Sequence, residues 1–257
     1  MLLREVSSRV WVLTQKAISN KVPKLLSTAY FPPVSYFAAM AQEMEGLSDR
    51  RRDGGSSLEL TPSVVYIEAC ENYQKQSYRN RCYFYGADGI QSLSFPITHE
   101  GGTHKLPISE IKVDYSTPWL QQHKMAIISA YRTSAYFEYY QDELFEILDR
   151  KYERLFDLNL AIIRFFIEKT GIAVDLRCTE DYSRDGSQTD RSGTIISCDD
   201  LREAIHPKRK DNLLSELGLK KEYFQVFSRK QGFKENLSIM DLLFNEGPDS
   251  ILYLKAL

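Results

Sequence analysis

Two short apolar runs, Val64 to Cys70 and Cys82 to Tyr85, bracket the stretch Tyr73-Gln-Lys-Gln-Ser-Tyr-Arg-Asn-Arg81. Both runs read as core strands. Between them lie Lys75, Arg79 and Arg81, a hydroxyl, three amides and two phenols. A polar patch this dense, set beside core strands, is where an anionic ligand can be gripped. If the stretch is extended, Tyr73, Lys75, Ser77, Arg79 and Arg81 point one way, and Gln74, Gln76, Tyr78 and Asn80 the other. Cations two residues apart on one face repel unless something negative joins them. A phosphate, a carboxylate or an internal acidic pair would serve, and arginine offers such a group a planar fork of donors. Two readings stay open: a ligand site, or a solvated edge strand with structural ion pairs. A turn inside the stretch would change the geometry.

The rest of the chain supplies short strands and a run of helices. Leu25 to Tyr30 reads as a strand, Phe31-Pro32-Pro33 as a turn and Val34 to Met44 as a helix. Ser48 to Ser57 is polar, charged and Gly-containing, and reads as a surface insertion. Gly86-Ala87-Asp88-Gly89 is the turn of a hairpin spanning Arg79 to Phe95. Ile108 to Val113 reads as another strand. Thr117 and Pro118 open a helix carrying Trp119, His123, Ile127 and Ala130 at helical spacing. Tyr136 to Leu148 and Leu155 to Phe166 are two more helices, the second stopped by Gly171 before a strand at Ile172 to Leu176. Arg177 to Gly193 reads as a loop, Asp199 to Ile205 as a short helix and Tyr223 to Phe227 as a strand. Ser238-Ile-Met-Asp241 has the spacing of a capping box for a final helix.

This order predicts an α/β class, with mixed α+β as its variant: a short-stranded sheet core with a helical lobe. The expected units are a basic N-terminal extension (1–24), a first α/β part (25–115) carrying the insertion 48–57, a helical segment (116–170) and a C-terminal α/β part (171–257). At 257 residues the chain can bury a substantial core.

The composition excludes several classes. A formal charge of −2 argues against a general attraction to nucleic acid. No apolar run approaches the length needed to span a bilayer. The first 24 residues hold Arg4, Arg9, Lys16, Lys21 and Lys24 against Glu5 and lack the apolar centre of a secretory signal. The cysteines, Cys70, Cys82, Cys178 and Cys198, form no CxxC pair and read as free thiols of a cytoplasmic protein. No metal or cofactor is expected.

Further candidates are few. The loop Ser27 to Pro33 follows an early strand and precedes a helix, the usual ligand position in open α/β sheets. Tyr30 would point into that crevice, and the helix N-terminus would support an anion. The loop has no glycine, so it is neither a P-loop nor a dinucleotide fingerprint. His99 and His104 flank Gly101-Gly102, and His99 beside Glu100 suits proton transfer. His123, on an apolar stripe, reads as a buried, hydrogen-bonded histidine. Lys75 and Ser77 lack SxxK spacing, and no GxSxG elbow is present.

These residues carry a resemblance. Thr28-Ala-Tyr30-Phe-Pro32, Ile67-Glu-Ala-Cys-Glu-Asn-Tyr-Gln-Lys-Gln-Ser-Tyr-Arg-Asn-Arg81, Leu93-Ser-Phe-Pro-Ile97, Trp119 with His123, Tyr131, Ala135-Tyr-Phe137, Tyr223-Phe-Gln-Val-Phe227 and Asn236 to Gly247 resemble the WbqC-like protein family of bacteria, over roughly Leu25 to Leu257. Many relatives begin with His-Gln-Pro-Asn-Tyr-Leu-Pro. Here Thr28 stands near that histidine's place, while Tyr30 and Pro32 remain. The resemblance implies a role in surface-polysaccharide or O-antigen biosynthesis, as an acyl, aminoacyl or other group transferase acting on an activated, nucleotide-linked sugar. In that scheme Lys75, Arg79 and Arg81 neutralise charge, while Ser77, Asn80 and Tyr30 contact the ligand. His99 shuttles a proton, with Lys75 beside it in the chemistry. The alternative is a non-catalytic protein that binds an activated sugar or a partner enzyme.

Overall fold

The computed structural model describes residues 22–42, 62–98, 106–189 and 192–255. Strand β1 (Lys24–Ser27) leads through a buried loop into helix α1 (Val34–Ala41), all of whose residues are buried. Strand β2 (Ser63–Glu68) then lies parallel to β1, with Leu25 opposite Tyr66 and Leu26 opposite Ile67. Leu26, Val65 and Ile67 face the main core, while Leu25 and Tyr66 join Cys198 in a smaller cluster on the other face. Burial on both faces is the condition under which short Val- and Ile-rich parallel strands hold together.

Strands β3 (Arg81–Gly86) and β4 (Gly89–Ser94) form the expected hairpin, closed by Ala87 and Asp88. Gly89 sits at φ 111°, a conformation that favours glycine. Three helices follow: α2 (Trp119–Tyr131), α3 (Phe137–Asp149) and α4 (Leu155–Thr170). Helix α4 stops where Gly171 takes a left-handed φ of 72°, and the N–H of Ile172 returns to the Ile167 carbonyl at 3.1 Å.

Strand β5 (Val174–Cys178) pairs parallel with β2, and β6 (Gln188–Thr189) pairs with β7 (Ile195–Ile196). Strand β8 (Asp199–Asp200) pairs parallel with β1, giving the main sheet the order β5-β2-β1-β8. In order of chain entry this is third, second, first, fourth, so the order reverses between β1 and β8. That reversal is the switch point at which open parallel sheets place ligands, beyond their carboxyl ends. Segments before and after the helical stretch therefore share one sheet, and the architecture is mixed α/β. Four short helices complete the chain: α5 (Leu213–Glu216), α6 (Ser228–Gln231), α7 (Ile239–Glu246) and α8 (Ile251–Leu254).

Several local expectations are corrected. Ile108 to Val113 is not a strand: Ile108–Glu110 makes a 3-10 turn whose N–H groups reach the carbonyls of Glu71 and Ala69. Asp199 to Ile205 begins as β8 and continues in turns. Tyr223 to Phe227 joins no strand. Tyr223 and Gln225 do point inward, but the N–H of Phe224 goes to Glu246 Oε1 at 3.0 Å. The capping box is half formed. Ser238 Oγ accepts from Met240 N, whereas Asp241 turns into the core and accepts from Tyr223 and Gln225. No helix among the described residues is long and apolar enough to cross a membrane.

Candidate active site at the carboxyl edge of the sheet

The polar stretch after β2 is not extended. The chain turns at Lys75 and Gln76, and Gln76 takes a left-handed φ of 59°. Ser77 then organises a 3-10 turn, Tyr78–Asn80: its hydroxyl donates to the Gln74 carbonyl at 2.7 Å and accepts from Arg79 N. The turn replaces the expected one-sided array of cations, because it swings Arg79 back toward the carboxylate that ends the preceding run. Asn159 of α4 donates to the Arg79 carbonyl at 2.7 Å and fixes the turn from below.

At the carboxyl ends of β1, β2 and β8, buried ion pairs result. Glu71 receives Arg79, whose side chain is 3% exposed, and Ser27 lies within hydrogen-bonding distance of both. Glu68 receives Arg202 Nη1 at 2.8 Å and the Thr179 hydroxyl at 2.7 Å. Arg202 also binds Asp200 through Nε and Nη2. The Ser27 hydroxyl and the Arg202 carbonyl are 3.4 Å apart, which brings the two pairs together beside the switch point. Buried pairs of this kind cost nearly as much desolvation as they return in attraction, so they act more to fix geometry than to stabilise.

The predicted residues are placed unequally around this framework. Arg79, buried, has its charge answered internally by Glu71. Ser77 is buried in the turn, and Asn80 spends its amide on the Phe95 carbonyl at 2.8 Å. Lys75 projects into solvent at the tip. Arg81 opens β3 and is half-buried. Its Nε is sealed from solvent, and the guanidinium finds no acceptor among the described residues. Tyr73 lies within the electrostatic reach of both arginines: burial pushes its phenol up, and Arg79 and Arg81 pull it back. His99 and His104 lie outside the described residues, as does the expected insertion 48–57.

Tyr30 does not open into a crevice. It is fully buried among Phe31, Phe95 and His123, and its hydroxyl meets His123 Nδ1 at 2.9 Å. His123 Nε2 faces the Ser94 carbonyl at 3.2 Å, which can only accept. The proton therefore sits on Nε2, and Tyr30 donates to Nδ1. Burial pushes His123 down to about 4, so the ring is neutral at pH 7. The N-terminus of α1 is likewise occupied: Val34 N donates to the Leu237 carbonyl and Ser35 N to Asn236 Oδ1. An anion would have to displace those bonds.

Sequence reasoning missed Glu68, Glu71, Thr179 and Arg202 as parts of this edge. The Glu68/Glu71 pair, ending an apolar run directly before the basic stretch, was the signal available for Arg79. Arg202 is paired with Glu68 across 134 positions and carries no local signal. All four cysteines are free, and burial pushes each thiol up, so none is an activated thiolate at neutral pH. Among the described residues no three His, Cys, Asp or Glu side chains are placed to share a metal ion. What the edge shows is an internally paired wall, Glu71 with Arg79 and Glu68 with Arg202.

Residues 61–253 match the model of the WbqC-like protein family. The chain is 26% identical over 204 residues to a protein of Mycobacterium tuberculosis (strain ATCC 25618 / H37Rv) described as "Uncharacterized protein Rv1507c", covering 75% of this chain and 87% of the relative. No solved structure matches.

Proposed function

The chain belongs to the WbqC-like protein family, and from that membership and the sheet edge we propose that it is a transferase acting on an anionic activated sugar or related metabolite in cell-surface polysaccharide biosynthesis. The observation that carries the reading is Arg81: a half-buried, permanently charged group with a sealed Nε and no acceptor among the described residues. Desolvating a donor without a partner is costly. A phosphate or carboxylate from outside would supply the missing acceptor through charge-assisted bonds. Lys75, exposed on the adjoining turn, adds a second cation. Arg79, Ser77 and Asn80 act as the scaffold that presents Arg81, and Tyr30 with His123 forms the packed layer behind it. His99 is the proposed proton shuttle.

A second reading, a binding protein without turnover, has its own support. The imidazole of His123 is neutral and already bonded on both nitrogens, and the edge carboxylates Glu68 and Glu71 are committed to arginines. None of these three groups is thus left over as a base.

Crystals soaked with a uridine diphosphate sugar test the site. The diphosphate is expected within hydrogen-bonding distance of Arg81, and a diphosphate bound elsewhere would contradict the assignment. Turnover assays of the wild type and His99→Ala separate the two readings. Loss of turnover with retained binding supports the transferase, whereas tight binding with no turnover in either protein supports the binding protein.

A further inference from the structure

An opening lies where α1, α5 and the C-terminal segment meet. It holds about 190 Å³ and is lined by Val34, Leu214, Leu219, Tyr223, Phe233 and Tyr253. Tyr223 packs edge-to-face on Phe233 at 5.2 Å and on Tyr253 at 5.7 Å. The Tyr223 hydroxyl is spent on Asp241 Oδ2 at 2.8 Å, so only its ring remains for an occupant. At the rim, Lys220 and Lys221 are balanced by Glu222 and Glu235. Lys220 pairs with Glu235 at 3.6 Å, and Lys221 Nζ donates to the Leu252 carbonyl at 3.4 Å. Phe224 and Leu252, chain neighbours of the lining tyrosines, stay 56% and 50% exposed. Glu246 ties Phe224 and Tyr253 to this corner, accepting from Phe224 N and from the Tyr253 hydroxyl.

We propose that this pocket binds a small molecule through one uncharged ring or branched acyl group. Size sets the class. An engineered apolar cavity of about 150 Å³ accepts benzene, whereas sites for drug-sized ligands run to about 300–1,000 Å³. A space of 190 Å³ therefore takes one ring and little more. Charge sets the rest: a balanced rim over an aromatic floor gives a buried charge no compensation. The ligand thus differs in kind from the anion proposed for Arg81, and either assignment can fail without the other.

The test is methyl NMR on the full-length protein, titrated with benzyl alcohol and isovaleramide, and with benzoate and benzylammonium as charged controls. The uncharged probes are expected to shift the methyls of Val34, Leu214 and Leu219 saturably, and to bind at least about tenfold tighter than the charged ones. Leu219→Phe, which fills the space, is expected to remove the response at Val34 and Leu214. If that variant fails to fold, Val34→Leu intrudes less on the same space and is expected to weaken binding. Absence of saturable shifts, equal affinity for charged probes, or an undiminished response in the folded filling variant would overturn the proposal. So would shifts produced by a phenylalanine-bearing peptide and by no free probe, which would assign the pocket to a protein partner.

Discussion

Glu71 holds Arg79 with both carboxylate oxygens: Arg79 Nε donates to Oε1 at 2.9 Å and Nη2 to Oε2 at 2.5 Å. The Arg79 and Glu71 side chains are 3% and 7% exposed, and the pair ties the 3-10 turn back to the segment that leaves β2. Removing one partner leaves a buried charge uncompensated, at a cost of about 3–5 kcal/mol. Glu71→Gln is therefore expected to lose about that much unfolding free energy in urea titrations. The double variant Glu71→Leu/Arg79→Met is expected to lose less than the two single changes added together. A Glu71→Gln protein as stable as the wild type would refute the pairing.

Two buried groups titrate in opposite senses. His123 is pushed down to about 4 by burial, below its unfolded value near 6.5. As pH falls from 6.5 to 4 the unfolded chain takes up a proton that the folded one refuses, so this group costs the fold about 3 kcal/mol across that window. Asp241 is raised to about 6, because burial outweighs the hydrogen bonds from Tyr223, Gln225 and Tyr131. Its folded value exceeds its unfolded one, so its contribution is present below pH 4 and is lost as pH rises to 6, again by about 3 kcal/mol. Over pH 4–6 the two slopes nearly cancel. Asp241→Asn is expected to gain stability relative to wild type as pH rises from 4 to 6, and His123→Gln to gain relative to wild type as pH falls from 6.5 to 4. Denaturant midpoints measured across this range check both signs, and variants that track the wild type in parallel would contradict the account.

Gly247 separates α7 from the final turn at φ 55°, ψ −128°. A Cβ placed there would lie 2.5 Å from Cδ1 of Tyr136, which is closer than packed atoms tolerate. Gly247→Ala is expected to cost at least about 2 kcal/mol, from backbone strain and overlap together. Gly193→Ala is the control: it shares a positive φ of 82° but has no atom of the described residues within 4 Å of the added Cβ. It should therefore lose clearly less in thermal melts, and equal losses would show that overlap with Tyr136 plays no part.

What the sequence revealed follows from how local each determinant is. The hairpin at Gly86 to Gly89, the strand before Tyr73 and the helix ending at Gly171 are written in contiguous windows of turn residues and periodicity, and they are found there. Strand β8 is two aspartates with no strand propensity. It exists because Lys24 and Leu25 pair with it and Lys24 Nζ meets Asp199 at 3.1 Å. Around Tyr223 the inward alternation is present, yet no neighbouring strand accepts the backbone, so alternation alone misleads. At the site, the basic stretch was legible as a polar patch. Its geometry was not, because Gln76's left-handed turn and the partner Glu71 decide where Arg79 points. Arg202 reaches Glu68 only through the sheet, and no window of sequence contains both.

If Arg81 binds an external anion, calorimetric titration of a uridine diphosphate sugar into wild type and Arg81→Gln will show it. A charge-assisted hydrogen bond contributes about 1.5–3 kcal/mol, so the variant is expected to bind at least about tenfold more weakly. Its affinity should also depend less on salt, while its thermal midpoint stays at or above that of the wild type. Unchanged affinity and an unchanged salt dependence in Arg81→Gln, with binding intact in the wild type, would contradict the account.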